Sequence, residues 1–134
     1  MTRTGGCICG AIRYTLSEEP VTVRLCWCRD CQYWAGGNAP LNLRMRRSAV
    51  QVEGTPRSWA SQADSGNHML RSFCGECGTQ MFSQSLEHPE FMVVRAGTLD
   101  DASGIRPLAT IWTDSAPVWA AIDPAIPSFP RQPG

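Results

Sequence analysis

Apolar and polar residues alternate along much of this chain, and a period of two marks strands that bury one face. In AIRYTL (11–16), Ile12, Tyr14 and Leu16 alternate with Arg13 and Thr15. In VTVRL (21–25), Val21, Val23 and Leu25 alternate with Thr22 and Arg24, and the run leads straight into Cys26. LNLRM (41–45) puts Leu41, Leu43 and Met45 on one face, and VQV (50–52) adds a shorter piece. RSWASQ (57–62) and HMLRSF (68–73) flank ADSGN, whose Asp64, Gly66 and Asn67 are turn formers. A hairpin is therefore predicted there, delivering the chain to Cys74. TQMFSQS, FMVVRAG and LATIWT read as further strands, and no 3.6-residue periodicity persists long enough for a long helix.

The last eleven residues, PAIPSFPRQPG, hold four prolines, too many for a ladder or a helix. They are predicted to pack as an extended tail, 124–134, held by Ile126 and Phe129. With 134 residues the chain fits one domain, 1–134, large enough for a real core. The expected fold class is mainly β, with many turns and with cysteines at strand ends.

Charge narrows the chemistry. Lys+Arg and Asp+Glu are both 12, so the net charge is zero, which gives no support to a nucleic-acid or membrane partner. All twelve cations are arginine. The absence of lysine excludes Schiff-base chemistry, covalent pyridoxal phosphate and a P-loop lysine. MTRTGGCICG contains no apolar run like a signal peptide, and no stretch nears the roughly 18 apolar residues of a membrane span. A cytoplasmic location is expected, where the seven cysteines stay reduced, and their clustered spacing suits metal better than disulfides.

Two constellations emerge. Cys7 and Cys9, placed i and i+2 on an extended strand, can aim both sulfurs at one point, and Cys74 and Cys77 sit in CGECG, the form of a zinc knuckle. Four thiolates complete the tetrahedron that zinc prefers, which is a closed structural site. The second set is CWCRDC, where Cys26 and Cys28 share a strand face and Cys31 returns after a short step. Three thiolates leave a fourth zinc position open, the mark of a catalytic site, whereas a ligand from elsewhere would make it a second structural site. The available histidines, His68 and His88, read as ordinary surface or core residues rather than ligands. Three thiolates on Zn²⁺ carry net charge −1, a poor activator of hydroxide but able to hold an incoming thiol as thiolate. Thiol chemistry fits better than hydrolysis.

GGCICGAIRY, CWCRDC, RSFCGECGTQMF, AGTLDD and the segment from Trp119 to Pro130 together resemble the glutathione-dependent formaldehyde-activating enzyme family, whose relatives include centromere protein V. The resemblance runs from about Gly5 to Phe129. It implies a zinc-binding β-tent fold of small antiparallel sheets, a structural zinc on Cys7, Cys9, Cys74 and Cys77, and a catalytic zinc on Cys26, Cys28 and Cys31. It also implies a carbon–sulfur lyase joining a small thiol, glutathione, to an aldehyde, formaldehyde. Family members often carry histidine where this chain has Trp27 and a basic residue where it has Gln32. Trp27 alternates away from the sulfurs and reads as a packing residue.

Glutathione is anionic, so arginines are expected at its site: Arg24 and Arg29 lie nearest in sequence, with Arg44, Arg46 and Arg47 available from a neighbouring strand. Each reads first as a solvated charge on a strand face. Two alternatives to the enzyme stand beside it. One is a zinc-stabilised binding module without catalysis, and the other a redox- or zinc-responsive protein in which Cys31 pairs with Cys26 or Cys28.

Overall fold

The computed structural model describes residues 2–133; Met1 and Gly134, the ends of the expected domain and of its tail, lie outside them. Strands account for 39% of the chain and helices for 11%, so the fold is mainly β as the alternation predicts. The elements run β1 (Arg3–Gly6), β2 (Arg13–Leu16), β3 (Thr22–Cys26), α1 (Arg29–Trp34), β4 (Leu41–Arg46), β5 (Val50–Glu53), β6 (Arg57–Gln62), β7 (His68–Phe73), β8 (Gln80–Ser85), β9 (Phe91–Arg95) and β10 (Ala109–Ile111). They form a three-stranded sheet, β1-β2-β5, and a seven-stranded sheet, β10-β3-β4-β9-β8-β7-β6. The predicted hairpin is β6–β7, with Gln62 opposite His68.

The core lies between the two sheets. Tyr14, Leu16 and Val50 from the small sheet meet Leu43, Met45, Phe82 and Val94 from the large one. Each such fully buried side chain contributes roughly 1.5–3 kcal/mol relative to exposure. Tyr14 meets Phe82 edge-on, with ring centroids 5.6 Å apart and planes at 72°. Alternation then fixes the other face of the large sheet. In β4, Leu43 and Met45 are buried in the core, so Asn42 and Arg44 point away from it. In β9, Met92 and Val94 belong to the core, so Phe91, Val93 and Arg95 point away. That second face carries the site described below.

Three features depart from the sequence reading. β1 (RTGG) carries no apolar alternation, yet it pairs with β2 because Gly5 sits where any Cβ would collide with the Tyr14 hydroxyl and the Thr98 carbonyl. β10 runs parallel to β3, whereas the other pairs of named strands are antiparallel. The tail, expected to be held by Ile126 and Phe129, is also anchored by its backbone, and Ile126 is half-buried. Pro127 O accepts from Thr110 N (2.9 Å) and Phe129 N donates to Thr110 O (2.8 Å), while the Phe129 side chain is exposed. The prolines do not prevent this pairing, since Pro127 contributes only a carbonyl. Among the described residues, no helix is long and apolar enough to cross a membrane.

Candidate functional site

The tip of the β1–β2 hairpin and the β7–β8 turn bring Cys7, Cys9, Cys74 and Cys77 together, with the four sulfurs within 4.8 Å of one another. The segment through Cys7 and Cys9 is a turn rather than the expected strand: Cys7 N donates to Ile12 O (3.1 Å) and Gly10 N to Cys7 O (3.1 Å). A turn brings the two sulfurs as close as a strand would, 3.6 Å, and Cys9 Sγ lies 3.7 Å from Cys74 Sγ. A zinc–sulfur bond of about 2.3 Å places the corners of a tetrahedron roughly 3.8 Å apart, so the spacing fits the metal.

Backbone amides also point at these sulfurs. Ile12 N donates to Cys7 Sγ (3.3 Å) and Glu76 N to Cys74 Sγ (3.4 Å), spreading thiolate charge. Gly78 makes the knuckle possible by taking φ 78°, and its N–H closes on Cys74 O at 2.9 Å. Thr79 lowers the Cys77 pKa to about 5, chiefly through its side chain and then its backbone. Ile8 N donates to Thr79 Oγ1 (3.3 Å), tying one turn to the other.

The second cluster forms where β3 passes into α1. Trp27 N donates to Ile111 O (3.0 Å), which keeps the chain extended past β3, so Cys26 and Cys28 flank Trp27 as expected. Cys28 then caps α1, its sulfur accepting from Cys31 N (3.3 Å), and the first helical turn returns Cys31 to the other two. All three thiols are buried and lie within 4.8 Å of one another. Cys31 is held well below the usual thiol range, first by hydrogen bonds from the Cys26 and Cys28 thiols, then by the charges of Arg95 and Arg71. Both clusters offer soft, convergent, unpaired sulfurs and could hold metal ions; no histidine belongs to either among the described residues.

Trp27 is 3% exposed and packs with Ile111 and Trp112 around the three cysteines, which is the packing role expected of it. Gln32 is buried beside it as a brace. Its Nε2 donates to Trp27 O (2.6 Å) and Ser115 O (2.9 Å), and its Oε1 accepts from Arg29 Nη1 (2.7 Å).

The three cysteines open on a cavity of about 430 Å³ on the second face of the large sheet. Among the described residues its lining holds four arginines, Arg24, Arg44, Arg71 and Arg95, and a single carboxylate, Asp64. The register explains the gathering: Arg24 lies opposite Asn42, and Asn42 opposite Arg95, across β3, β4 and β9. Arg44 stacks over the Phe91 ring, 3.9 Å from its centroid. Of the arginines considered from sequence, Arg24 and Arg44 therefore reach the site. Arg29, Arg46 and Arg47 do not: Arg29 lies over Tyr33, Arg46 pairs with Glu18 and Arg47 donates to Val50 O. Arg71 and Arg95 reach it as well, and in sequence their alternation with Leu70 and Val94 matches that of a solvent-facing strand. His68 hydrogen-bonds Glu87, and His88 lines the cavity away from either sulfur cluster.

No curated protein matches the sequence. The crystal structure of a Rhodobacter sphaeroides protein, 22% identical, shares the fold with a TM-score of 0.58, covering 93% of this chain and 98% of that one. A family model described as glutathione-dependent formaldehyde-activating enzyme matches residues 2–115. That span holds all seven cysteines and every strand described above, and the chain belongs to the glutathione-dependent formaldehyde-activating enzyme family.

Proposed function

We propose that this protein is a zinc-dependent carbon–sulfur lyase that makes and breaks the adduct of a small thiol with an aldehyde, glutathione and formaldehyde being the pair named for its family. The observation that carries this reading is a three-thiol cluster in the wall of a cavity lined by four arginines. Cys7, Cys9, Cys74 and Cys77 would hold a structural zinc, and Cys26, Cys28 and Cys31 a second, catalytic one. A zinc at the latter site supplies a Lewis-acid position that keeps a fourth, incoming thiol deprotonated.

The chain's own residues do the rest. Arg24 and Arg44 receive the carboxylates of the thiol substrate, each presenting a fork that matches two oxygens. Ile111 and Trp112 wall the cavity beside the cysteines and limit water there. The cavity volume falls within the range of about 300–1,000 Å³ usual for small-molecule sites. In the reaction the sulfur adds to the carbonyl carbon, the C=O π pair moves to oxygen, and the thiol's proton ends there. The gain comes mainly from holding two reactants together. Reduced thiols are required, which a cytoplasmic setting provides.

Exchange spectroscopy by NMR on glutathione and formaldehyde tests this directly. Adduct interconversion is expected to be faster with the protein than without it. No acceleration across several thiols would overturn the enzyme and favour a zinc-stabilised binding module. So would a zinc stoichiometry near one per chain with Cys26, Cys28 and Cys31 freely alkylated.

A further inference from the structure

The four arginines of the cavity fall into two pairs. Arg24 and Arg44 are partly exposed, whereas Arg71 and Arg95 are only 3% and 7% exposed. A buried guanidinium is costly unless carboxylates or several acceptors meet it, and each of these two makes one side-chain hydrogen bond among the described residues. Arg95 donates through Nη1 to the Asn42 side-chain oxygen and forms no ion pair among the described residues. Arg71 donates through Nη1 to Ser61 Oγ (3.1 Å), while its ion pair with Asp30 spans 3.7 Å, too long for a hydrogen bond. Its Nε is fully buried with no partner.

Strand register places the two side chains around a common point. Arg71 on β7 lies opposite Ser83 on β8, Ser83 lies opposite Val93 on β9, and Arg95 follows Val93 by two residues on the same face. The small side chain of Ser83 thus separates two long cations, and all three residues line the cavity that reaches the cysteines. Two buried guanidiniums lining one cavity, one of them with an unpartnered Nε–H, suit an anion with two acceptor oxygens. Formaldehyde is neutral and has a single oxygen. Glutathione's carboxylates lie several bonds from its sulfur, where the outer pair, Arg24 and Arg44, serves them.

We propose that Arg71 and Arg95 form a carboxylate clamp for the carbonyl substrate, and that the site takes an aldehyde bearing a carboxylate beside the reacting carbon, a 2-oxo acid of glyoxylate size. This rests on the thiol–aldehyde reading for the reaction, while the clamp itself is a binding site that can be tested without turnover. The step balances without an oxidant: the thiol sulfur bonds to the aldehyde carbon, the C=O π bond breaks, and the thiol's proton moves to the new alkoxide. The product is a thiohemiacetal that keeps its carboxylate.

The test uses zinc-loaded, ¹⁵N-labelled protein titrated with oxamate, an unreactive mimic of glyoxylate, while the arginine Nε–H signals are followed. Saturable shifts of the Arg71 and Arg95 signals are expected, weakened at least about tenfold in Arg95→Gln and Arg71→Gln. Unmoved signals in the wild-type protein overturn the clamp whether or not the variants fold. Full oxamate affinity in Arg95→Lys, which keeps the charge and loses the fork, also overturns it. If glutathione shifts these signals and oxamate does not, the pair serves the thiol and the inference is wrong. In turnover with glutathione, kcat/KM is expected to favour glyoxylate over acetaldehyde, and Arg71→Lys to shrink that ratio about tenfold or more. Oxamate binding without any adduct chemistry would sink the lyase and leave the clamp standing.

Discussion

Gln32 holds the second cysteine cluster without belonging to it, because its side-chain amide supplies both donors that the Trp27 and Ser115 carbonyls use. Gln32→Ala strips those donors from a 2% exposed position and is expected to cost about 2 kcal/mol, read as a lower urea midpoint. Gly5→Ala tests close approach instead. Its methyl group would meet the Tyr14 hydroxyl and the Thr98 carbonyl, and the overpacked strand pair is expected to lose roughly 1–3 kcal/mol in the same measurement. Not every residue of the site was equally legible. The cysteines were, since C-x-C, C-x-C-x-x-C and C-x-x-C carry their geometry in their spacing. Arg71 and Arg95 were not, because a polar cavity face alternates with the core in the same way as a solvent face. Only register, which pairs β7 with β8 and β4 with β9, tells the two apart.

Among the elements, the β1–β2 hairpin is fastened to the segment after β9 by charge as well as by packing. Arg13 and Thr4 both bond Asp100, Thr4 through its hydroxyl at 2.7 Å, and Tyr14 bonds Thr98 at 2.7 Å. Arg13 first, then Thr4, holds the Asp100 pKa down at about 2; His68 does the same for Glu87, also to about 2. Groups depressed in the folded state stabilise it above their unfolded values of roughly 4, and this stability is lost as pH falls from about 4.5 through about 2. Denaturant midpoints are therefore expected to decline through that window, and Asp100→Asn to flatten part of the decline. The strands behind this arrangement were readable wherever one face is core, as in LNLRM and FMVVR. β1 escaped notice because glycine has no side chain to alternate. α1, at six residues, is shorter than any window in which a 3.6 period can show. The parallel partner of β3 lies more than eighty positions away, and nothing local announces it.

At the scale of the whole molecule, the two cysteine clusters have different mechanical duties. Cys7 and Cys74 belong to the main core between the sheets, whereas Cys26, Cys28 and Cys31 form a separate cluster with Trp27, Ile111 and Trp112. A metal on the first cluster would link Cys9 to Cys74 across 65 residues. Closing a loop of that length removes unfolded-state entropy worth about 4 kcal/mol by the chain-entropy estimate. That is a large share of the roughly 5–15 kcal/mol by which domains are stable. A metal on the second cluster would join residues five apart, within one strand-to-helix turn, and constrain far less chain. Cys77→Ala is accordingly expected to unfold the protein or lower its Tm sharply, and a strong chelator to do the same to the wild type. Cys28→Ala should stay folded, bind one zinc fewer and lose adduct exchange. Circular dichroism melts beside zinc analysis decide the matter, since equal destabilisation by the two substitutions would make both metals structural and leave the arginine-lined cavity without its reacting centre.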